Sequence, residues 1–275
     1  MKKILIFLFA IGICSFSYAQ KKPKIKGNKD VTQVIGEISE DFNALEIDDG
    51  LKINLSQGVE NGYNLNIDSN LVEVLQFFVV DSILKVYTTN KIVSSKKLEI
   101  TMTVKGLEHL ILKNDAEVIG EGPFSSERFY ISGYNSSRMD LDIRAEDVTV
   151  TLHRNAGGKL RVTSENTTIV MNDRTDMKAY VVCDNIRVTV NNSADLDLDG
   201  DADYAAFNLK QSSTLNARNM KVSSADLYTS NSSDVYVNAS KNLEVYAKGS
   251  SNVYVYGNPK LEIKGFTDKS KIIKR

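Results

Sequence analysis

The residues of this chain that could do chemistry include an acidic run in its second half. Carboxylates alternate along it, at Asp195, Asp197, Asp199, Asp201 and Asp203, with Gly200 among them. The alternation and the glycine match the opening of an EF-hand calcium loop, but the twelfth position, which needs a glutamate, is Ala206. We therefore predict an acidic outer strand face and no cofactor. Calcium held in another geometry by Asp199, Asp201 and Asp203 is the alternative.

Tyrosines form a second candidate site. Tyr236 and Tyr254 occupy equivalent positions, with Tyr228, Tyr246 and Tyr256 nearby. Aromatic side chains can bind sugar rings, and stacked tyrosines on neighbouring strands also stabilise sheets. The sequence thus predicts cross-strand stacking as the main role of these tyrosines, with a contact to a glycan or a cell-surface protein as the alternative.

Catalytic patterns are weak. His109 and His153, the only histidines, lack the spacing of a metal-binding motif, and no Gly-x-Ser-x-Gly motif occurs. Some β-helix proteins degrade acidic polysaccharides with aspartates and basic residues, which keeps a lyase or hydrolase as an alternative. The basic residues concerned are Arg138, Arg154, Arg161 and Arg174. We predict no catalytic residue and no enzyme.

The N-terminus predicts export. Residues 1–19 combine Lys2 and Lys3, a short apolar run and small residues before Gln20, as in a cleaved signal peptide. About 13 apolar residues are too few to span a bilayer, which needs roughly 20. We therefore predict no membrane span, and a periplasmic, surface or secreted location.

Charge and cysteine content narrow the partners and the fold. Removing the two leader lysines from 34 basic residues leaves 32, against 35 acidic residues, so the net charge gives no basis for binding nucleic acid. Cys183 is then the only cysteine, which rules out an internal disulfide. The fold must depend on apolar burial and backbone pairing.

A short repeat of near-constant length organises the second half of the chain. Small residues follow polar turn formers at Ala116, Ser137, Gly158, Thr175, Ala194, Ser213, Ser233, Ser251 and Ser270. Two positions later stand Val118, Met139, Leu160, Met177, Leu196, Leu215, Val235, Val253 and Ile272. The position between is always polar, which indicates strands with one inward face. Stacked strand repeats of this kind, here about 19 residues long, bury a shared core, so we predict a parallel β-helix.

The first part of the chain divides into two predicted regions. Residues 20–41 are rich in lysine and lack sustained periodicity, which predicts a solvated leader or linker. Residues 42–106 alternate apolar and polar side chains as strands do, and Asn61-Gly62 predicts a hairpin turn. We expect these strands to cover one end of the repeat region, residues 107–275, and residues 42–275 to form one domain.

Three polar turn motifs carry a resemblance: Asn191-Asn192-Ser193-Ala194-Asp195, Asn231-Ser232-Ser233-Asp234 and Gly249-Ser250-Ser251-Asn252. With the leader and the N-terminal strands, the chain resembles the head GIN domain family, whose members carry the name auto-transporter adhesin. The resemblance covers about residues 42–270, although serine, alanine or asparagine usually replaces the family's glycines. It implies a right-handed β-helix exported by a Gram-negative bacterium. We therefore predict an exported cell-envelope interaction module of adhesin type, with a polysaccharide-active enzyme or a structural envelope protein as alternatives.

Overall fold

The computed structural model describes residues 22–275, which form a parallel β-solenoid of about 9 turns spaced about 19 residues apart. The predicted signal peptide lies outside the described residues. Within residues 22–275, no helical segment has the length and apolar character needed to cross a bilayer. One short sheet pairs β1 with β8, and all other strands belong to a single continuous sheet.

The N-terminal strands are β1 Lys24–Lys26, β2 Val31–Glu37, β3 Ala44–Ile47, β4 Lys52–Gln57, β5 Gly62–Asp68, β6 Leu75–Val80, β7 Ile83–Thr88, β8 Lys91–Ser94 and β9 Leu98–Val104, with a 3-10 helix at Ser69–Val74. The repeat strands are β10 His109–Leu112, β11 Glu117–Gly133, β12 Arg138–Leu152, β13 Gly157–Thr163, β14 Asn166–Met171, β15 Asp176–Asn191, β16 Asp195–Lys210, β17 Thr214–Ser230, β18 Asp234–Ala247, β19 Asn252–Gly257, β20 Lys260–Phe266 and β21 Lys271–Lys274.

From Asn114 to Ser250, each bend between rungs contains two consecutive residues in the left-handed conformation, such as Asn192 (φ 55°) and Ser193 (φ 62°). The last bend has one such residue, Asp268 (φ 62°). Asparagine and serine tolerate this conformation better than branched residues do. The small residue that follows, here Ala194, is fully buried. In the later rungs the small residue is serine, and the Ser213 hydroxyl donates to the carbonyl of Val190 at 2.9 Å. Turn formers such as Asn192 therefore lie at the bends between rungs, as the sequence predicts.

The predicted register is wrong in the third rung by two positions. Ala156, and not Gly158, aligns with Ser137 and Thr175, because Gly157 pairs with Arg138 and with Asp176. With this correction, the spacing on both sides of the rung equals the common repeat of the solenoid. Leu160 still points inward and is 3% exposed, because a shift of two positions keeps every side chain on the same face of a strand.

Parallel stacking begins earlier than the predicted boundary at residue 107. Strand β3 pairs with β10 and β4 pairs with β11, both in parallel, so residues 44–57 supply the first rung. Strands β7 and β9 extend the same ladders by one more layer. The N-terminal strands thus continue the solenoid and also cover its end.

The described part of the predicted leader is not a solvated linker. Strand β1 pairs with β8, and β2 pairs antiparallel with β5. The buried carboxylate of Asp68 fastens this segment by accepting the backbone N–H groups of Lys29, Lys96 and Lys97 at 3.0 to 3.1 Å. Pairing partners from later in the chain create order that the local sequence of the leader does not reveal.

The hairpin predicted at Asn61-Gly62 is also wrong. Strand β9 lies between β4 and β5, parallel to β4 and antiparallel to β5, so the two strands beside the turn do not pair. Asn61 instead links three chain segments: its carbonyl accepts the N–H of Ile38, and its side-chain oxygen accepts the N–H of Lys105. Strand β9, from later in the chain, takes the pairing position that a hairpin would give to β4 and β5.

The C-terminal end of the solenoid remains open in the described chain. Strand β20 pairs with β18 on one side, and its inward residues Leu261 and Ile263 are 41% and 53% exposed. A bulge next to Ile263 shifts the register, so that Ile263, and not Lys264, continues the apolar column above Val245.

Candidate functional site

A groove lies between two bulges of the solenoid wall. The first bulge, around Gly120 and Gly122, lengthens β11 relative to β12. The second, around Arg218 and Asn219, lengthens β17 relative to its neighbours. Bulges bend a strand out of the ladder, so the four rungs between them form a floor. The resulting groove has a volume of about 550 Å³.

The floor of this groove is built from outward side chains in two columns. One column runs Asp140, Lys159, Lys178, Asp197 and Asn216, in strict rung-to-rung register. The second runs Asp142, Arg161, Tyr180 and Asp199. Because strand side chains alternate, the residues between these columns are buried core residues that hold the floor rigid. The floor thus carries basic and aromatic groups at its centre and carboxylates on both flanks.

The cations at the centre are only weakly neutralised by protein carboxylates. The ammonium of Lys159 lies 4.0 Å from Asp140, at the limit of an ion pair, and both side chains are largely exposed. Among residues 22–275, Lys178 has no carboxylate within 4.0 Å and stands directly beside Lys159 on the next strand. Like charges in opposite positions are unfavourable. The Arg161 guanidinium lies 5.2 Å from the centre of the Tyr180 ring, which holds it over the floor.

Sequence reasoning missed Lys159, Lys178 and Tyr180 as site residues, and it considered Arg161 only for the enzyme alternative. A signal for the groove was nevertheless present. The interval from Ala116 to Ser137 and the interval from Ser213 to Ser233 both exceed the common repeat, and these longer rungs carry the two bulges. Irregular repeat lengths therefore marked the ends of the groove.

The five predicted tyrosines form two separate ladders and not one face. Tyr236 stacks on Tyr254 with ring centres 4.5 Å apart, and Tyr228 stacks on Tyr246 at 4.9 Å. The first pair and Tyr256 follow the turn of their rungs, whereas the second pair precedes the turn. Consequently the five side chains do not converge.

The outer faces of three of the four stacked rings are also covered. Arg275 lies 5.4 Å from the centre of the Tyr254 ring, and Lys210 lies 5.6 Å from that of Tyr228. The backbone of Gly265 approaches the Tyr246 ring so closely that a Cβ there would overlap it. Since a sugar platform needs a free ring face, the ladders offer a ligand mainly their edges and hydroxyl groups.

The acidic run lies on β16, with Asp199, Asp201 and Asp203 exposed and Gly200 and Ala202 buried between them. Alternate residues of an extended strand lie roughly 7 Å apart, which spreads the carboxylates along the wall. In the part of the chain that the structure describes, no three His, Cys, Asp or Glu side chains cluster as metal ligands. Asp199 lines the groove, and Asp201 and Asp203 lie beyond it.

The residues of the enzyme alternative are dispersed. Arg138 pairs with Asp176 at 3.2 Å, and Arg154 and Arg174 occupy left-handed turn positions. Of the four arginines considered, only Arg161 lines the groove. His109 and His153 each stack on a tyrosine of a neighbouring rung.

One further perturbed group lies outside the groove. The Tyr204 hydroxyl donates to Asp226 at 2.5 Å, and this hydrogen bond, with burial and the negative charge of Asp226, raises the pKa of Tyr204 to about 12. Tyr204 therefore stays protonated and serves as a tie between adjacent rungs.

Solved structures share this architecture at low sequence identity. A putative adhesin from Parabacteroides distasonis is 16% identical with a TM-score of 0.70, covering 92% of this chain and 100% of its own. A putative adhesin from Parabacteroides merdae is 18% identical with a TM-score of 0.63, covering 92% and 99%. A putative lipid binding protein from Parabacteroides distasonis is 18% identical with a TM-score of 0.59, covering 91% and 96%. At such identities the likeness concerns the fold alone.

No curated protein matches the sequence. A family described as "Putative auto-transporter adhesin, head GIN domain" does match, over residues 41–161 and 152–259. These segments span most of the chain, including both bulges and the rungs between them. On this basis, the chain belongs to the family of the auto-transporter adhesin head GIN domain.

Proposed function

We propose that this protein is a non-enzymatic, adhesin-type binding module of the cell envelope, and that the groove between the two bulges is its main contact surface. One observation carries the proposal: a polar groove of about 550 Å³ whose exposed charged side chains stand in register on a rigid solenoid wall. A rigid element positions binding groups without the ordering cost of a loop. Membership of an adhesin family supports the same role.

The proposal includes export. Residues 1–19 have the composition of a signal peptide, and the mature chain would begin at Gln20. Periplasmic, surface-displayed and secreted locations are all compatible with such a leader. Fractionation of producing cells, with mass spectrometry of the mature N-terminus, tests this part, and retention of residues 1–19 in the mature protein would contradict it.

The tyrosine ladders provide a second predicted contact. Tyr236 and Tyr254 present ring edges and hydroxyl groups on the same side of the turn as the groove columns, because Asn216 of the groove pairs with Tyr236. A ligand extended along the solenoid axis would reach them after the groove. The Tyr228 and Tyr246 pair lies on the other side of the turn and would need a separate ligand.

The test is a binding screen of the chain from residue 20 onward against glycan and cell-surface protein arrays. Two variants separate the surfaces: Lys159→Ala with Arg161→Ala and Lys178→Ala in the groove, and Tyr236→Ser with Tyr254→Ser in the ladder. All five side chains point outward, so both variants should fold, which circular dichroism checks.

We expect a reproducible ligand for the wild-type chain and loss of binding in the groove variant. Loss only in the tyrosine variant would move the contact to the ladder and refute the groove. The absence of any ligand across both arrays would overturn the binding function in favour of a structural envelope role. Turnover of a bound polysaccharide would overturn the non-enzymatic assignment.

A further inference from the structure

We infer that the groove binds an acidic polysaccharide whose carboxylate-bearing sugars are separated by neutral ones. This inference rests on the proposed function and adds the chemical class of the ligand. It derives from the order of charges along the solenoid axis within the groove, which runs acidic, basic, basic, acidic over strands β12, β13, β15 and β16.

The two central rungs supply the anion site. Lys159, Arg161 and Lys178 project from adjacent strands, and all three side chains are exposed. Only one of them, Lys159, has a protein carboxylate within 4.0 Å among the groove residues. A carboxylate of the ligand placed between the two lysines would relieve their mutual repulsion and accept charge-assisted hydrogen bonds. Tyr180, on the adjacent strand, holds the Arg161 guanidinium in place through a cation–π contact.

The two outer rungs exclude a second negative charge. Asp140 and Asp142 flank the centre on one side, and Asp197 and Asp199 flank it on the other. Carboxylates accept hydrogen bonds from hydroxyl groups but repel other anions. The sugars that lie over these rungs must therefore be neutral and rich in hydroxyl groups. A polymer with a negative charge on every unit, such as a nucleic acid or a polyuronate, would place charges against the aspartates.

The dimensions favour a chain molecule that runs along the solenoid axis. Neighbouring rungs are about 4.8 Å apart, close to the length of one sugar in an extended polysaccharide. The distance between the two bulges is then roughly 24 Å, enough for several sugars. An acidic sugar centred between the two lysine rungs directs its two neighbours toward the aspartate rungs, so the order of charges in the protein favours a neutral sugar on each side of the acidic one.

Isothermal titration calorimetry with octasaccharides of defined charge pattern tests the inference. Hyaluronan and unsulfated chondroitin octasaccharides alternate an acidic with a neutral sugar. Oligogalacturonate of the same length carries an acid on every sugar, and carboxyl-reduced hyaluronan carries none. We expect at least one alternating probe to bind, and both comparison probes to bind at least about tenfold more weakly, the equivalent of one charge-assisted hydrogen bond.

Variants assign the effect to named side chains. Lys178→Ala and Arg161→Ala should each weaken binding of the alternating probe by about tenfold or more. Lys241→Ala is the matched control, because Lys241 is an exposed lysine of β18 outside the groove, and it should leave the dissociation constant unchanged. Asp140→Asn combined with Asp197→Asn should strengthen binding of oligogalacturonate, which a purely structural role of these aspartates would not do.

The outcomes separate this inference from the proposed function. Equal binding of the carboxyl-reduced or the fully charged probe overturns the charge pattern while leaving a glycan-binding module intact. Failure of both alternating probes overturns the inference, and a protein ligand on the arrays then leaves the binding function standing. If, in addition, no ligand binds on the arrays, both this inference and the proposed binding function are overturned.

Discussion

Replacing Gly200 with alanine should destabilise the solenoid strongly, although the change adds a single methyl group. Gly200 lies in β16 with φ 125°, a conformation that residues with a Cβ avoid. A Cβ there would overlap the carbonyl oxygen of Val181 on the adjacent strand and lie 2.7 Å from its carbonyl carbon. The substitution therefore acts on the backbone pairing of β15 with β16.

The magnitude follows from two contributions. Strain in this backbone region costs about 1–3 kcal/mol, and the loss of one ladder hydrogen bond adds about 1 kcal/mol. A total of about 3 kcal/mol corresponds to a fall in Tm of about 6–12 °C for a chain of this size. Gly106→Ala is the matched control, since no atom lies within 4 Å of the position of its Cβ.

Thermal and urea unfolding, followed by circular dichroism, measure the difference between the two variants. If Gly200→Ala unfolds within about 1 kcal/mol of Gly106→Ala, close backbone approach does not explain this glycine. The reasoning would then be refuted, and a role of Gly200 in a calcium loop would regain support.

Three further predictions concern single groups. The buried Asp68 carboxylate should stabilise the N-terminal cap only while ionised: burial opposes its charge, but the N–H donors of three lysine backbones outweigh burial and lower its pKa. Its stabilisation should therefore be complete above the unfolded carboxyl pKa of about 3.9 and be lost as the pH falls through the lower folded value. Asp68→Asn should abolish this part of the acid dependence in urea unfolding, and an unchanged profile would contradict the assignment. Burial raises the pKa of the Cys183 thiol to about 11, against a hydrogen bond with Thr167, so a thiol reagent at neutral pH should modify the folded protein far more slowly than the unfolded chain. Equal rates would show that Cys183 is accessible. The alternative calcium site at Asp199, Asp201 and Asp203 has carboxylates spread along one strand, so we expect the same Tm in calcium and in chelator, and a higher Tm in calcium would establish a site.

Much of the fold was predictable because its information is local. Period-2 alternation identifies which side chains of a strand face inward, and this holds for Val118 and Leu196 as well as for Leu160, whose register was wrong. The paired turn formers, such as Asn192 and Ser193, indicate where each rung bends, since few residues accept that conformation. Because this pattern of turn formers and inward side chains recurs along the repeat, a signal that is weak in one rung becomes clear over many.

Other features required pairing between distant segments. The local sequence around Asn61 favours a hairpin, but β9 pairs with both flanking strands, and the order of β1 and β2 depends on partners far along the chain. Which of the N-terminal strands pair with one another therefore depends on the packing of all the strands that cover this end of the solenoid. An error of two positions in register was equally invisible, because it leaves every side chain on its face.

The candidate site likewise combines features that are visible in the local sequence with features that depend on contacts between distant segments. The acidic run and the tyrosines were conspicuous in the sequence, yet the structure spreads the first along one strand and separates the second into two ladders. Lys159, Lys178 and Tyr180 looked like ordinary outward residues until stacking placed them side by side between two bulges. By itself, the sequence determined the repeat, the turns and the inward faces, which depend on near neighbours. Only the tertiary structure decided which outward side chains meet across rungs, because residues one full repeat apart become adjacent only when the strands stack.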